Sequence, residues 1–575
     1  MFKIQANTRT IDAEPGETIL SALERAGIHV PTLCHMKDLE PSGACRICSV
    51  EVEGMRGLIP SCSFPAQEGM KIKTNSPKCI RSRKTIIELL LSRHPDDCLY
   101  CIRSGQCALQ SLAQEYGVRA RRFVSKEKFN YHVDCTSPAI LRDQAKCILC
   151  GKCIRVCEEI QNVGAIDFVG RGSNTIVAPA FEQTLNVSSC INCGQCILVC
   201  PTGALREQSY LKNVLNALED PDKFVVVQHA PSVSVTLAEE FGMKAGADIN
   251  GLMVSALKRM GFDRVFDTSF GADLTIMEEA SELVHRITTG GKLPMFTSCS
   301  PGWVKYCEQF YPEFIGNLST AKSPHQMLGA MIKTYYAEKE GIDPNKIFTV
   351  SLMPCTAKKF ESFRPEMSNG KLWDVDATLS TRETARMIKM YGIDFDSLDD
   401  SALEDAPFRI RSSAGKLFGG SGGVMEAALR TAYYLITGEE LANPEIKEIR
   451  GLGKIKETRV KVGDLDLGFA VVNGIGNAEK LLEEIKNGRS DLHFIEVMTC
   501  PGGCIAGGGQ PLKTNIDKIK ARMKTLYTID KNEPLRTSHN NEEIKQLYKE
   551  YLGKPLGEKS HKLLHTHYSK KDVLM

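Results

Sequence analysis

Three stretches carry apolar runs too short for a helix: "KFVVVQHAPS" from Lys223, "KIFTVSLMPC" from Lys346 and "DLGFAVVNGIGN" from Asp466. Each runs into a glycine-rich or short polar turn, the pattern of buried strands that feed loops. Between them "DLTIMEEASELVHRI" from Asp273 repeats at helical spacing. Met277, Ala280, Val284 and Ile287 form its apolar stripe, and Glu279, Glu282 and Arg286 lie at i, i+3 and i+7 on the opposing face. From spacing alone that face reads as an exposed ion-pair face. Strands alternating with helices predict an α/β unit with function at the strand ends. The N-terminal stretch "MFKIQANTRTIDAEPGETILSALERAG" reads differently, as a strand, a turn at Pro15-Gly16 and a helix. "RSRKTIIELLLSR" is a further helix that delivers His94 at its C-terminal end.

No run of 18 or more apolar residues exists, and the N-terminus lacks a basic segment followed by an apolar one, so a cytoplasmic protein away from membranes is expected. At 575 residues the chain is too long for one core, and about three to five units are expected. With 72 basic against 70 acidic residues, charge gives no argument for nucleic acid or a charged membrane.

The cysteines change the picture. There are 22, and 17 lie within the first 200 residues. In a reducing compartment, dense cysteines at short spacing read as metal ligands before disulfides. Cys34, Cys45, Cys48 and Cys62 give C-x10-C-x2-C-x13-C within residues 1–77. Small residues Ser42, Gly43 and Ala44 lead into a tight loop whose backbone N–H groups can approach sulfur. Zinc also uses C-x2-C pairs, but the long first spacing and the strand-rich surroundings suit a two-iron ferredoxin better. In residues 78–125, His94, Cys98, Cys101 and Cys107 give H-x3-C-x2-C-x5-C. Taken alone this also suits a Cys3His zinc knuckle.

Residues 126–209 contain a repeat, "CILCGKCIRVC" and "CINCGQCILVCP". Both are C-x2-C-x2-C-x3-C, the two-cluster ferredoxin signature, in which each run lends its fourth cysteine to the other cluster. One set is therefore Cys147, Cys150, Cys153 and Cys200. The other is Cys190, Cys193, Cys196 and Cys157. These 209 residues read as a wire for electrons, which places substrate chemistry in residues 210–575.

There the cysteines are sparse, in "TSCSPGW" (297–303), "MPCTAKKFE" (353–361) and "EVMTCPGGCIAGGGQP" (496–511). Widely separated ligands imply a site assembled where lobes meet. "VVNGIGNAEKLLEEI" offers G-x-G, but Glu479 stands where a dinucleotide fingerprint has its third glycine. "FGGSGGVMEAALR" reads as a glycine turn capping a buried helix. Cys79, Cys135 and Cys307 are expected to be buried free thiols.

With these motifs the chain resembles the clostridial multi-cluster type of iron-only (FeFe) hydrogenase over essentially its whole length. It is also similar to the hydrogenase subunit of NAD(P)-linked complexes. The C-terminal "LYKEYLGKPLGEKSHKLLHTHY" resembles the small-subunit-like tail covering the catalytic domain. The resemblance implies a multidomain α/β protein. Its parts would be a two-iron ferredoxin-like β-grasp domain, a His/Cys3 four-iron domain, a two-cluster ferredoxin-like domain and a large α/β catalytic domain. It implies one 2Fe-2S cluster, three accessory 4Fe-4S clusters and an H-cluster, a cubane joined to a two-iron subsite with carbon monoxide, cyanide and azadithiolate. Cys355, Cys500 and Cys504 match cubane ligands, with Cys504 bridging to the subsite. Lys358 matches a lysine that hydrogen-bonds cyanide. Ala230, Pro231 and Ser232 match the loop beneath the subsite, and Met353, Phe418 and Met498 match its walls. Cys299, Glu279, Ser319, Glu282 and Arg286 match the family's proton path.

The fourth cubane ligand falls at Ser300, where the family has cysteine. Neighbouring side chains of an extended loop point to opposite sides, and Pro301 restricts a one-residue slip. Two registers remain open. In one, Cys299 stays the proton-relay thiol and Ser300 Oγ or solvent completes the cubane. In the other, Cys299 binds iron and Ser300 faces the subsite. The expected activity is reversible reduction of protons to dihydrogen. Electrons would come from a ferredoxin-type carrier or flavin-bearing NAD(P)-linked subunits, and separate maturation proteins would build the subsite. The alternative is a disabled relative acting as electron carrier, assembly protein or redox sensor.

Overall fold

The computed structural model describes residues 1–37, 39–123, 133–370 and 372–573. The first unit is a five-stranded sheet ordered Arg9–Ala13, Phe2–Ala6, Lys71–Lys73, Ser49–Val52, Leu58–Pro60. The single strand expected at the N-terminus is a hairpin: Asn7, with φ of 56°, turns the chain so that Phe2 pairs with Ala13. Asparagine tolerates that left-handed conformation better than most residues. The helix Ile19–Arg25 lays Ile19, Leu20, Ala22 and Leu23 on the sheet, and the Thr18 hydroxyl caps it by accepting from the Ser21 N–H at 3.2 Å.

A helix over Pro77–Arg93 follows, with His94 at its C-terminal cap. Buried Arg83 ties it to the first sheet by donating to the carbonyls of Ile47, Ser49 and Thr74. The expected boundary at 125/126 lies outside the described residues. The repeat region places the short helices Lys152–Arg155 and Gln195–Val199 directly after its two C-x2-C turns. Pairing of Ile140–Arg142 with Leu205–Glu207 closes this unit.

The C-terminal part has two lobes. A parallel sheet runs Arg264–Asp267, Phe224–His229, Ile347–Met353, Ala377–Ser380. A mixed sheet runs Met295–Phe296, Phe494–Met498, Leu465–Asn473, Ile455–Val462. Continuous apolar strands such as Val225-Val226-Val227 are buried on both faces, as parallel sheets require. The strands Phe224–His229, Ile347–Met353 and Phe494–Met498 all end at the same crevice between the lobes. The 22-residue helix Thr268–Thr289 crosses beside it. Among the described residues no helix is long and apolar enough to cross a membrane.

Candidate active site

At the lobe junction lies a cavity of about 80 Å³. Cys299, Ser300, Cys355, Cys500 and Cys504 line it, together with Lys358. Ala230, Pro231 and Ser232 supply part of its wall, and Met353, Phe418 and Met498 supply more. Residues far apart in the chain thus meet because three parallel strands deliver their C-terminal loops to one place. Ser232 Oγ is buried there without a hydrogen-bond partner, a polar atom that a bound group would satisfy.

The two adjacent residues that define the question diverge. Ser300, just before the helix Pro301–Phe310, has its Oγ 2.7 Å from Thr499 Oγ1 and accepts weakly from the Thr499 N–H at 3.4 Å. It therefore faces the loop that carries Cys500. Cys299 packs instead against the apolar cluster that contains Met498 and Phe418. Burial and then the charge of Glu279 push its thiol well up from the usual range. Burial likewise pushes up the Cys355, Cys500 and Cys504 thiols. Such thiols stay protonated until a metal takes the proton's place, which a cluster of iron does.

The helix face that spacing alone reads as an exposed ion-pair face, and that the family resemblance reads as a proton path, is buried: Glu279 is 0 % exposed and Glu282 is 7 % exposed. Both Glu279 oxygens lack a full hydrogen bond. Burial, and then the neighbouring charge of Glu282, raise its pKa to about 8. Ser319 Oγ donates to Glu282 Oε2 at 2.9 Å, and Arg286 Nη2 donates to Glu282 Oε1 at 2.5 Å. Arg286 also donates to the Leu318 carbonyl at 2.8 Å and reaches the edge of the molecule.

Lys358 Nζ donates to Glu361 at 2.7 Å and to the Cys299 carbonyl at 3.0 Å. No motif singles out His325, yet it lines the cavity and its Nε2 lies 2.6 Å from Glu361. Burial lowers its pKa to about 4, so a neutral ring holds the carboxylate that holds Lys358. Below the cavity, His229 and Glu404 approach to 3.2 Å beside Asp267, and the Lys416 ammonium sits 2.6 Å from Asp267. This group anchors the strand, helix and loop that carry Ala230, Thr268 and Phe418. His325 belongs to no motif, so no sequence pattern could have found it, and His229, though within "KFVVVQHAPS", has no ligand spacing that singles it out.

The accessory cysteines also gather. One small cavity is lined by Cys147, Cys150, Cys153 and Cys200, and another by Cys157, Cys190, Cys193 and Cys196. The fold thus brings together the cysteines of each crossed set read from the repeat. Cys34 and Cys45 adjoin, as do Cys48 and Cys62, and the Cys45 N–H donates to Cys34 sulfur at 3.5 Å. Burial raises the Cys107 thiol, with a smaller raising effect from nearby Cys101 and Cys98, and buried His94 Nδ1 has no partner. A Cβ on Gly203 would lie 2.9 Å from Cys101 sulfur, so this group abuts the repeat region. Cys79 and Cys307 are buried as expected, but Cys135 is exposed. It precedes Thr136, whose hydroxyl turns inward to Asp134 at 2.7 Å, and this leaves the thiol outside. The "GIG" turn is explained by packing: a Cβ on Gly476 would lie 2.2 Å from the Ile160 carbonyl of the repeat region.

Residues 223–508 match the family described as iron only hydrogenase large subunit, C-terminal domain, and residues 516–571 match iron hydrogenase small subunit. NADP-reducing hydrogenase subunit HndD of Solidesulfovibrio fructosivorans is 48% identical over 100% of this chain and 100% of its own length. The chain belongs to the iron-only hydrogenase family. Iron hydrogenase 1 of Clostridium pasteurianum is 42% identical over 99% of this chain and 100% of its own. A solved apo FeFe-hydrogenase HydA1 from Chlamydomonas reinhardtii, a point variant, superposes with a TM-score of 0.58 at 42% identity. It covers 64% of this chain and 100% of its own. Ahead of the hydrogenase domain, residues 1–77 match a 2Fe-2S cluster binding domain. Residues 83–122 match the NADH-ubiquinone oxidoreductase-G iron-sulfur binding region, and 146–204 match a 4Fe-4S dicluster domain. This iron-only hydrogenase therefore carries accessory iron-sulfur domains in the order read from its cysteines.

Proposed function

We propose that this hydrogenase reversibly reduces protons to dihydrogen at an H-cluster held in the lobe-junction cavity. Cys355, Cys500 and Cys504 would hold the cubane, with Ser300 Oγ as the fourth donor, and Cys504 would also bridge to the two-iron subsite. When bound, the H-cluster supplies an open iron site and the electrons for combining two protons. Lys358, Ala230, Pro231, Ser232, Met353, Phe418 and Met498 position and enclose the subsite. The divergence of Cys299 and Ser300 supports the register in which Cys299 keeps its thiol for protons. Serine oxygen is harder and far less acidic than thiolate, so this cubane is expected to be held more weakly and at a shifted potential.

Cys299 Sγ holds a proton at the cavity wall. Glu279, with a pKa near neutrality, is suited to take it up and release it at working pH. Ser319 Oγ and Glu282 continue the line outward. Arg286 keeps its own proton at all working pH values, so its part is to fix Glu282 and balance its charge. The single observation that carries this reading is that line of side chains, which begins at the cavity and ends at the edge of the molecule. A carrier or assembly protein has no use for it. The domain set proposed is 1–77, 78–125, 126–209 and 210–575, with one 2Fe-2S and three 4Fe-4S clusters on the ligands grouped above. Their order suits electrons from a ferredoxin-type carrier or from flavin-bearing NAD(P)-linked subunits.

The test is anaerobic hydrogen evolution from a reduced dye, using protein given a complete two-iron subsite, beside Ser300→Cys. Substantial activity in the unaltered protein supports the hydrogenase reading, by oxygen ligation or by a slipped register. Activity in the cysteine variant alone would overturn the hydrogenase reading for the native sequence.

A further inference from the structure

The proton line touches a group of side chains on the C-terminal tail that none of the roles above uses. The tail pairs with the segment that follows Ser319: the Thr566 N–H donates to the Thr320 carbonyl at 2.7 Å, and the Lys322 N–H to the Leu564 carbonyl at 2.8 Å. This register sets His565, at the C-terminal cap of the helix Glu558–Leu564, opposite Ala321. The residue is buried, and both ring nitrogens have a neighbour. Nδ1 lies 2.8 Å from Thr320 Oγ1, and Nε2 lies 3.0 Å from Glu278 Oε2. Glu278 is buried too, and it also accepts from the Tyr548 hydroxyl and, at 2.8 Å, from the Leu556 N–H, both on the tail.

On its other side Thr320 reaches the proton line. Glu282 Oε2 accepts from the Thr320 N–H at 3.0 Å and from its hydroxyl at 3.3 Å. Glu278 and Glu282 are like charges at i, i+4 on one helix, which repel, and His565 joins them through a single hydroxyl. That hydroxyl has one proton to give. An ionised carboxylate only accepts, so His565 Nε2 carries a proton toward Glu278. In the imidazolium Nδ1 carries one as well and donates to Thr320 Oγ1, which leaves the hydroxyl proton for Glu282. In the neutral ring Nδ1 is bare and takes the hydroxyl proton, so Glu282 loses that bond. The other charged or titratable groups around the ring are His561, Tyr548 through Glu278, and Arg286 through Glu282. His561 is exposed and stacks on His565 with centroids 4.7 Å apart. Lys322, on the paired segment, is held by Asp374 at 2.7 Å.

We propose that His565 of the C-terminal tail is a positioning residue for the proton line, whose protonation state decides, through the Thr320 hydroxyl, how many hydrogen bonds hold Glu282. The proposal rests on the proton line described under the proposed function. With the imidazolium, Glu282 has the additional donor that steadies its negative charge; with the neutral ring it lacks that donor. The tail therefore takes part in proton delivery as well as covering the catalytic lobes.

The test uses the full-length holoenzyme, unaltered and as Thr320→Val, Thr320→Ser and His565→Phe. Infrared difference spectra across pH follow the His565 ring bands, assigned by their loss in His565→Phe, and the Glu282 carboxyl bands, assigned by their loss in Glu282→Gln. Exchange of deuterium gas with water protons is measured over the same range. In the unaltered protein the Glu282 bands are expected to move in step with the ring bands. In Thr320→Val the ring bands still respond to pH while the Glu282 bands stop following them. Exchange falls about two- to tenfold, the worth of one hydrogen bond, and its pH profile loses the step that the ring bands mark. Thr320→Ser, which keeps the hydroxyl, restores both. Glu282 bands that follow the ring in the valine variant, or that ignore it in the unaltered protein, would overturn the proposal, as would a loss that serine does not rescue. If Thr320→Val does not fold, His565→Phe decides: its Glu282 bands should be flat where the ring bands of the unaltered protein change. Absence of exchange in the unaltered protein would instead sink the proposed function, and the infrared bands, which need no turnover, would still decide the role of His565.

Discussion

The accessory region and the catalytic lobes both collect cysteines, but by opposite means. In the repeat region the ligands are two or three residues apart, so one turn of chain sets most of the geometry, and only the fourth cysteine crosses over. In the catalytic lobes Cys299, Cys355, Cys500 and Cys504 come from three strand-end loops, and only Cys500 and Cys504 share one. Exposure differs too. Cys98 is exposed, and its neighbours Leu99 and Tyr100 are 93 % and 90 % exposed, whereas none of the catalytic cysteines is exposed and all line the lobe-junction cavity. A local motif tolerates a surface position because it needs little support. A dispersed site must be surrounded by the core that assembles it, and the same burial perturbs every ionisable group inside.

The sharpest way to break this comparison is to remove one ligand on each side. Cys504→Ala should abolish hydrogen evolution while leaving the paramagnetic signals of the reduced accessory clusters in place, because those clusters assemble locally. Loss of the accessory signals as well would show that the two regions do not fold independently of each other's metal. Next in size, Glu279→Gln keeps shape and loses the titrating proton. Dye-driven evolution should drop by roughly 10²–10⁴, the usual contribution of a positioned acid–base group. Iron content should stay unchanged, and activity within a few-fold of native would remove Glu279 from the proton line.

Ser300→Cys probes the dispersed site from the other direction. Thiolate should retain cubane iron longer under a chelator than the native serine does, by several-fold in half-life, with little change in accessory iron. Equal half-lives would mean that Ser300 Oγ is not a ligand.

A smaller effect is expected in stability against pH. Unfolded Glu279 loses its proton near 4.5, whereas the folded group holds it to about 8. Between those values the folded chain binds the extra proton, so stability falls as pH rises through this window, by an amount on the order of a few kcal/mol, and levels off above it. Glu279→Gln should flatten that slope in denaturant titrations at pH 5 and pH 8 of the apo protein. An unchanged slope would place the carboxyl in contact with water. The least disruptive change is His94→Cys, which should lower the potential of its cluster through the added thiolate charge and slow dye-linked turnover only modestly.

How far the sequence can be read follows the same division. The crossed sets Cys147/Cys150/Cys153/Cys200 and Cys157/Cys190/Cys193/Cys196 are legible because spacing along the chain is the geometry. The apolar strands ending at Ala230, Met353 and Met498 are legible because burial on both faces demands unbroken hydrophobic runs. The turn at Asn7 is hidden because a two-residue turn between polar residues leaves no break in alternation, and the outward thiol of Cys135 because nothing local tells it from an inward one. His325 and Glu361 are invisible as a pair, since their bond joins separate elements.

By itself, then, the sequence determined which residues could bind iron and which elements would carry them. Both follow from interactions between near neighbours. The tertiary structure alone decided that Ser300 turns toward Thr499 while Cys299 feels the charge of Glu279, and that a helix face rich in charge is buried. Each of these depends on where distant segments pack. Burial, which raises the Glu279 pKa, is a property of that packing and of no single stretch of chain.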